Sequence, residues 1–229
     1  MDRITDWIVN HTLVLVLVGG AVFAFLWLLF FRKRLRMNAI TALALSVLHV
    51  VVGMISVSLF AAIENPKDYN LGMVSIFGGV FFMPIAYWAG AKLTKRDEKV
   101  VFDVFLICLL FTLMCSRFNC LYSGCCGGKI IPGTSGLCWP TRESEIVFYI
   151  VLMAIFAPKV LKGGTNGELY PIYMIAYGVF RFINETLRVA NGNSIFHVSH
   201  IWAAICFCIG LCVFYEQRRK KMKVRRKLQ

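Results

Sequence analysis

Arg181 and Glu185 stand four residues apart, with Arg188 three residues further on, in the run Tyr177-Gly178-Val179-Phe180-Arg181-Phe182-Ile183-Asn184-Glu185-Thr186-Leu187-Arg188. On a helix that spacing puts Arg181 and Glu185 on one face, and Asn184 adds a polar group. Set among apolar residues, the pair reads in two ways. It is an internal ion pair that packs helices together, or one wall of a polar cavity that takes an anion, because a guanidinium forks onto phosphate or carboxylate oxygens. Arg117 offers the same chemistry, or snorkels to an aqueous surface. Downstream of it, Gly124-Cys125-Cys126-Gly127-Gly128 is a stretch of backbone able to present N–H groups to an anion, or simply to turn the chain back.

Cys120, Cys125, Cys126 and Cys138 form a second chemical group. Adjacent cysteines rarely bond to each other, so a bridge would run from Cys125 or Cys126 to Cys120 or Cys138. A thiol nucleophile beside a glycine-rich backbone is another reading. A four-thiolate zinc site is a third, although C-x4-C-C-x11-C is not a usual ligand spacing. No metal and no cofactor is expected. Cys108, Cys115, Cys206, Cys208 and Cys212 read as small apolar packing residues. His49 reads as a helix–helix hydrogen bond rather than a base. His197 and His200 suit a head-group site or a helix cap equally. Asp103 reads as an interfacial or helix-N-terminal charge near Lys99.

The elements that must hold these residues are long and apolar. Of the 229 residues, 59% are hydrophobic and only 16% charged, where a soluble domain carries about a quarter. About 20 apolar residues cross the hydrocarbon layer of a membrane. Seven such spans are predicted, at roughly 12–31, 38–62, 71–93, 100–121, 146–161, 167–187 and 199–217. The fifth is short, and Pro158 sits near its end. The first run is too long, and lacks the basic leader and cleavage site, to be a signal peptide.

The net charge is +13, which in a soluble protein would suggest nucleic acid. Here its distribution sets topology instead, and no nucleic-acid partner is expected. Eighteen of the 25 Lys and Arg residues fall after span one (32–36), between spans three and four (92–99), after span five (159–162) and in the tail (218–229). Basic loops lie in the cytoplasm, so the fold class is all-α and polytopic, with seven transmembrane helices, the N-terminus outside and the C-terminus cytoplasmic. The chain is expected to be one transmembrane domain over 1–229, ending in a basic cytoplasmic tail at 218–229. Three segments then face outside: 63–70, the Asn- and Gly-rich 188–198, and 122–145, the longest, which holds five of the 18 glycines.

Residues 74–217 resemble the bacterial prolipoprotein diacylglyceryl transferases. Phe77-Gly78-Gly79 stands where that family has His-Gly-Gly. Asp103 matches an aspartate opening the next helix. Arg117 through Gly128 resembles the family signature, in a Gly-Cys-Cys-Gly version, with Cys120 at the place of an asparagine. Trp139-Pro140-Thr141-Arg142-Glu143-Ser144-Glu145 is similar to His-Pro-Thr-Gln-Leu-Tyr-Glu. Tyr177 through Arg188 matches best, with Tyr-Gly, Arg-Phe, Glu and Arg at the same offsets, and His200 takes the place of a glutamine.

The resemblance implies a bacterial plasma-membrane enzyme of lipoprotein biosynthesis, working near the outer leaflet. A diacylglyceryl group passes from phosphatidylglycerol to a thiol such as a lipobox cysteine. Catalytic roles fall on Arg117, Arg181 and Glu185, and substrate binding on Gly78, Gly79, Gly128, Arg188 and His200. Apart from the resemblance, Cys120, Cys125, Cys126 and Cys138 are candidates for a reactive thiol or a disulfide. The partners are phosphatidylglycerol or another anionic phospholipid, and a lipoprotein precursor. Two other classes stay open: a non-catalytic relative that binds phospholipid or a partner, and a membrane thiol-disulfide enzyme using the outer cysteines.

Overall fold

The computed structural model describes residues 3–67, 70, 73–163, 165, 167–189 and 197–227. Seven helices account for nearly all of them: α1 (Arg3–Phe30), α2 (Ala39–Glu64), α3 (Ile76–Leu93), α4 (Glu98–Tyr122), α5 (Thr141–Lys162), α6 (Leu169–Thr186) and α7 (Val198–Lys227). Among the described residues the only β-pairing is two isolated bridges, Gly128 with Arg188 and Ile130 with Cys138. Most of the Asn- and Gly-rich segment expected to face outside lies beyond the described residues.

Each predicted span coincides with one helix, and the ends are set by local chemistry. The Asn38 side chain accepts from the Thr41 N–H at 2.7 Å and Asp97 accepts from the Lys99 N–H at 2.9 Å, satisfying donors that a helix start leaves open. One boundary differs from expectation. The fifth helix begins at Thr141, not near residue 146, so Thr141-Arg142-Glu143-Ser144-Glu145 is helix rather than loop. Hydropathy missed this turn because its residues are polar; the side chains of Thr141, Ser144 and Glu145 find partners inside the bundle.

Five helices are long and apolar enough to cross a membrane: α2 to α5 and α7. α6 is not among them, its mean hydropathy being lowered by several polar residues, and α1 offers a shorter apolar stretch, Val14–Phe30. Large apolar side chains point outward along α1 and α2, including Val18, Leu26, Leu43, Val51, Ile55 and Leu59. A water-soluble monomer rarely exposes a continuous apolar surface of that extent. The protein is a multi-pass membrane protein.

α4 is the hub, packed against α1, α3, α5 and α6, while α6 pairs along its length with α7. Glycines allow two close crossings. A Cβ on Gly78 would land on the Ser56 backbone carbonyl of α2, and one on Gly178 would meet Ala203 and Phe207 of α7. At one end of the bundle, Arg34 donates to the Val160 carbonyl at 2.7 Å, Gln217 donates to the Gly167 carbonyl at 3.5 Å and Lys221 pairs with Glu168 at 2.7 Å. The basic segments after α1 and α5 and on α7 therefore share that end.

Asp103, expected at an interface, is buried at the same end. It accepts hydrogen bonds from the Thr165 hydroxyl and, at 2.9 Å, from the Gly167 N–H. It fastens the α5–α6 connection to α4. His49 is buried between three helices, with Nδ1 3.2 Å from the Tyr87 hydroxyl of α3 and Nε2 3.5 Å from the Thr112 hydroxyl of α4, as a helix–helix hydrogen bond requires.

Candidate functional site

At the other end of the bundle, three helices deliver charged side chains to one buried point. Glu145, in the first turns of α5, is the centre. Its Oε2 lies 2.5 Å from Arg117 Nε of α4, and its Oε1 lies 2.5 Å from Arg181 Nη1 of α6. The Asn184 side chain donates to the same Oε1 at 3.1 Å. Arg181 reaches on through Nη2 to Glu185 Oε2 at 2.6 Å, the pair expected from the spacing along α6. Arg188, just past the helix, comes to 3.5 Å from the same oxygen. Arg117, Glu145, Arg181 and Glu185 are all less than a tenth exposed. Snorkelling is thereby ruled out for Arg117, whose guanidinium points into the bundle.

Burying charges is costly unless each is paired and hydrogen-bonded, and the local sequence provides for this. The Asn184 side chain also donates to the Thr141 carbonyl at 3.1 Å and accepts from the Ser144 hydroxyl at 3.0 Å. The polar first turn of α5 is thus locked against α6, and Glu145 is held between two arginines. Phe77 lies beneath, with its ring centroid 5.8 Å from the Arg181 guanidinium carbon, a cation–π arrangement. Three arginines stand against two glutamates, and the Cys126 thiol and the Glu64 carboxylate lie within electrostatic reach of these arginines.

Polar groups also adjoin the network without partners of their own. The hydroxyls of Tyr149, Tyr173 and Tyr177 are buried and have no hydrogen-bond partner among the described residues. Tyr149 and Tyr177 are within electrostatic reach of Arg117, Glu145 and Arg181.

The segment between α4 and α5 roofs this point. It docks on the end of α6 through Lys129 N–H to the Leu187 carbonyl at 2.8 Å, Val189 N–H to the Gly127 carbonyl at 2.9 Å and the Lys129 ammonium to the Thr186 carbonyl at 2.9 Å. Gly128 is required here for space: a Cβ would collide with the Trp139 carbonyl. Gly124 and Cys126 both adopt left-handed backbone, φ 68° and 61°. For Cys126 that conformation stores about 1 kcal/mol or more of strain, of the kind functional sites retain.

The strain aims the Cys126 sulfur at the arginines, with Arg188 Nη2 2.5 Å from Sγ. The Sγ atoms of Cys120, Cys125 and Cys126 all lie within 4.8 Å of one another, and Arg117 Nη1 is 3.6 Å from that of Cys120. A hydrogen bond from the Cys120 thiol, followed by the Arg188 and Arg117 charges, pulls the Cys126 thiol down to about 5 against the opposing effect of burial. Burial and the neighbouring Cys126 push the Cys125 thiol up. All nine cysteines are free thiols.

The structure therefore gathers Arg117, Arg181, Glu185 and Arg188, with Cys120, Cys125, Cys126 and Gly128 beside them. Cys138 stands apart and exposed, its thiol directed to the Gly136 carbonyl. Gly78 and Gly79 lie in α3, with Gly78 in the crossing with α2 and Gly79 facing Leu113 and Leu109. His200 is buried in the first turn of α7; its Nδ1 accepts from the His197 N–H at 3.1 Å, the bond of a capping box. Sequence reasoning missed Glu145 as a site residue, together with its supports Thr141 and Ser144. The signal available was the resemblance of Trp139 through Glu145 to a segment ending in glutamate.

The chain is similar over most of its length to named bacterial proteins. A protein of Clostridium tetani named phosphatidylglycerol–prolipoprotein diacylglyceryl transferase is 27% identical over 177 residues, covering 69% of this chain and 71% of its own. A Dehalococcoides mccartyi protein of the same name is 23% identical over 209 residues, 79% of each chain. A homologue from a second strain of that species is 22% identical over 228 residues, 88% of this chain and 87% of its own. The family described as prolipoprotein diacylglyceryl transferase matches residues 11–216, which include every charged member of the buried network, and the chain belongs to that family.

Proposed function

We propose that the protein is a phosphatidylglycerol-dependent diacylglyceryl transferase of a bacterial plasma membrane, crossing it seven times with the basic end in the cytoplasm and the Arg–Glu network near the outer leaflet. The observation that carries this reading is the convergence of three guanidiniums, Arg117, Arg181 and Arg188, at one end of the bundle. A phosphatidylglycerol phosphate is an anion that guanidiniums fork onto. Arg188 is the arginine best placed to meet it, since its side chain is 22% exposed and its contact with Glu185 is the longest in the network.

The reaction places its demand at the same point. The acceptor sulfur, as a thiolate, attacks the glyceryl carbon of the diacylglyceryl group. The carbon–oxygen bond to phosphate breaks, its electron pair stays on oxygen, and glycerol phosphate leaves. Negative charge grows on the phosphate as the bond breaks, so fixed guanidinium groups in a water-poor site stabilise the transition state more than the bound lipid. Glu145 and Glu185 hold those guanidiniums in place. The unpartnered Tyr149 and Tyr177 hydroxyls are suited to the glycerol head group. The acceptor is a thiol such as the lipobox cysteine of a lipoprotein precursor.

The test is mass spectrometry of a lipobox peptide incubated with the purified protein in phosphatidylglycerol nanodiscs. The expected result is a peptide carrying one diacylglyceryl group, lost with Arg181→Ala. No adduct, or equal product from the variant, would overturn the reading. A second reading, a phospholipid-binding relative without turnover, is favoured by one observation: the ring under Arg181 is Phe77, which cannot accept a proton. It expects phosphatidylglycerol retained on the purified protein and no adduct under any condition.

A further inference from the structure

The thiol cluster has a role that the arginine network leaves open. The proposed transfer needs the acceptor as a thiolate, because the thiol is a weak nucleophile. The network offers no base for that step. Its arginines stay protonated, Glu145 and Glu185 are tied to guanidiniums, and His200 is engaged in capping α7. Beside the network, however, three sulfurs from the last turn of α4 and the following loop converge within 4.8 Å of one another.

We propose that Cys120, Cys125 and Cys126 hold a zinc-class divalent cation, whose open fourth position takes up and activates the acceptor thiol. Two observations support it. Tetrahedral zinc–sulfur bonds of about 2.3 Å set sulfurs about 3.8 Å apart, a contraction of about 1 Å or less from the observed cluster. In addition, Arg188 and Arg117 already direct N–H groups at the Cys126 and Cys120 sulfurs, the outer-shell hydrogen bonding that tunes thiolate ligands. Cys126 keeps a left-handed backbone, φ 61°, to take its place in the cluster.

Three protein ligands with one open position is the arrangement of a catalytic rather than a structural zinc site. An acceptor thiol entering that position is deprotonated by the metal, its proton passing to water. The metal-bound sulfur attacks the glyceryl carbon, and glycerol phosphate departs toward the arginines. No electron is exchanged with an outside donor. The proposal rests on the transferase reading for the identity of its fourth ligand, but not for the metal site itself.

The test is zinc titration of the metal-free, full-length protein in nanodiscs against a chromophoric chelator, with X-ray absorption on the loaded sample. One zinc per chain is expected, with three sulfurs at about 2.3 Å and a fourth on addition of a lipobox peptide. Cys126→Ser should weaken binding on the order of 100-fold, while Cys138→Ser, outside the cluster, should leave it unchanged. No zinc, a shell without three sulfurs, a disulfide within the cluster under reducing conditions, or a peptide sulfur that never joins the shell would each overturn the proposal. Peptide modification by a zinc-free protein would overturn it while leaving the transferase reading intact. Zinc with four sulfurs but no modified peptide would instead sink the transferase reading and leave the site standing.

Discussion

Glu145 answers two guanidiniums at once, and removing its charge tests whether the network is held by that arrangement. With Glu145→Gln, Arg117 and Arg181 lose their shared counter-charge inside the bundle. Breaking one side of a buried ion cluster costs about 3–5 kcal/mol, so thermal unfolding in nanodiscs should show a large loss of stability, and transfer should fall by about 100-fold or more. The tyrosines should behave in the opposite way. The hydroxyls of Tyr149 and Tyr177 have no hydrogen-bond partner among the described residues, so Tyr149→Phe and Tyr177→Phe should leave stability unchanged, or raise it by about 1 kcal/mol, since an unsatisfied buried group is being deleted. Their expected effect is a KM for phosphatidylglycerol about 10-fold higher. A stability loss with an unchanged KM would show that the hydroxyls serve the fold. At this scale the sequence was only half legible. The i, i+4 spacing gave the Arg181–Glu185 pair directly, because helix geometry alone brings the two together. Glu145 lay in a polar run that hydropathy assigns to loop, and its partners sit 28 and 36 residues away in sequence.

Among the elements, α3 and the α4–α5 segment depend on glycine at one position each. Gly78→Ala would drive a methyl group into the Ser56 carbonyl and push α3 off α2. The expected loss is about 1–3 kcal/mol, as for other overpacked sites, read from the unfolding temperature. Gly128→Ala would displace the Trp139 backbone, and with it the pairing of Gly128 with Arg188. Its expected effect is a fall in transfer of about 10-fold or more, with the unfolding temperature of the helical bundle nearly unchanged, since the segment caps the bundle rather than filling it. Five of the seven helices, α2 to α5 and α7, were readable from apolar run length, because a hydrocarbon solvent requires such runs. The start of α5 was not, because Thr141, Ser144 and Glu145 are buried by polar contacts to Asn184, Arg117 and Arg181 that lie far along the chain.

For the molecule as a whole, the asymmetry of charge is the main constraint. α7 runs for 30 residues, about 45 Å, against a hydrocarbon layer of about 30 Å, so its basic last turns extend beyond the layer. In the topology proposed above, the Arg–Glu network lies at the membrane face opposite the basic end, where a lipid of the outer leaflet would present its phosphate. A membrane-impermeant maleimide applied to intact cells should therefore label the exposed Cys138, while a tag fused after Gln229 should stay protected. The reverse pattern would invert the topology. The network itself is tested most directly by a structure of the protein in phosphatidylglycerol nanodiscs. A lipid phosphate within hydrogen-bond distance of Arg188, and of Arg117 or Arg181, is the expected result. Lipid phosphates found only elsewhere, with all three guanidiniums still closed on Glu145 and Glu185, would contradict it.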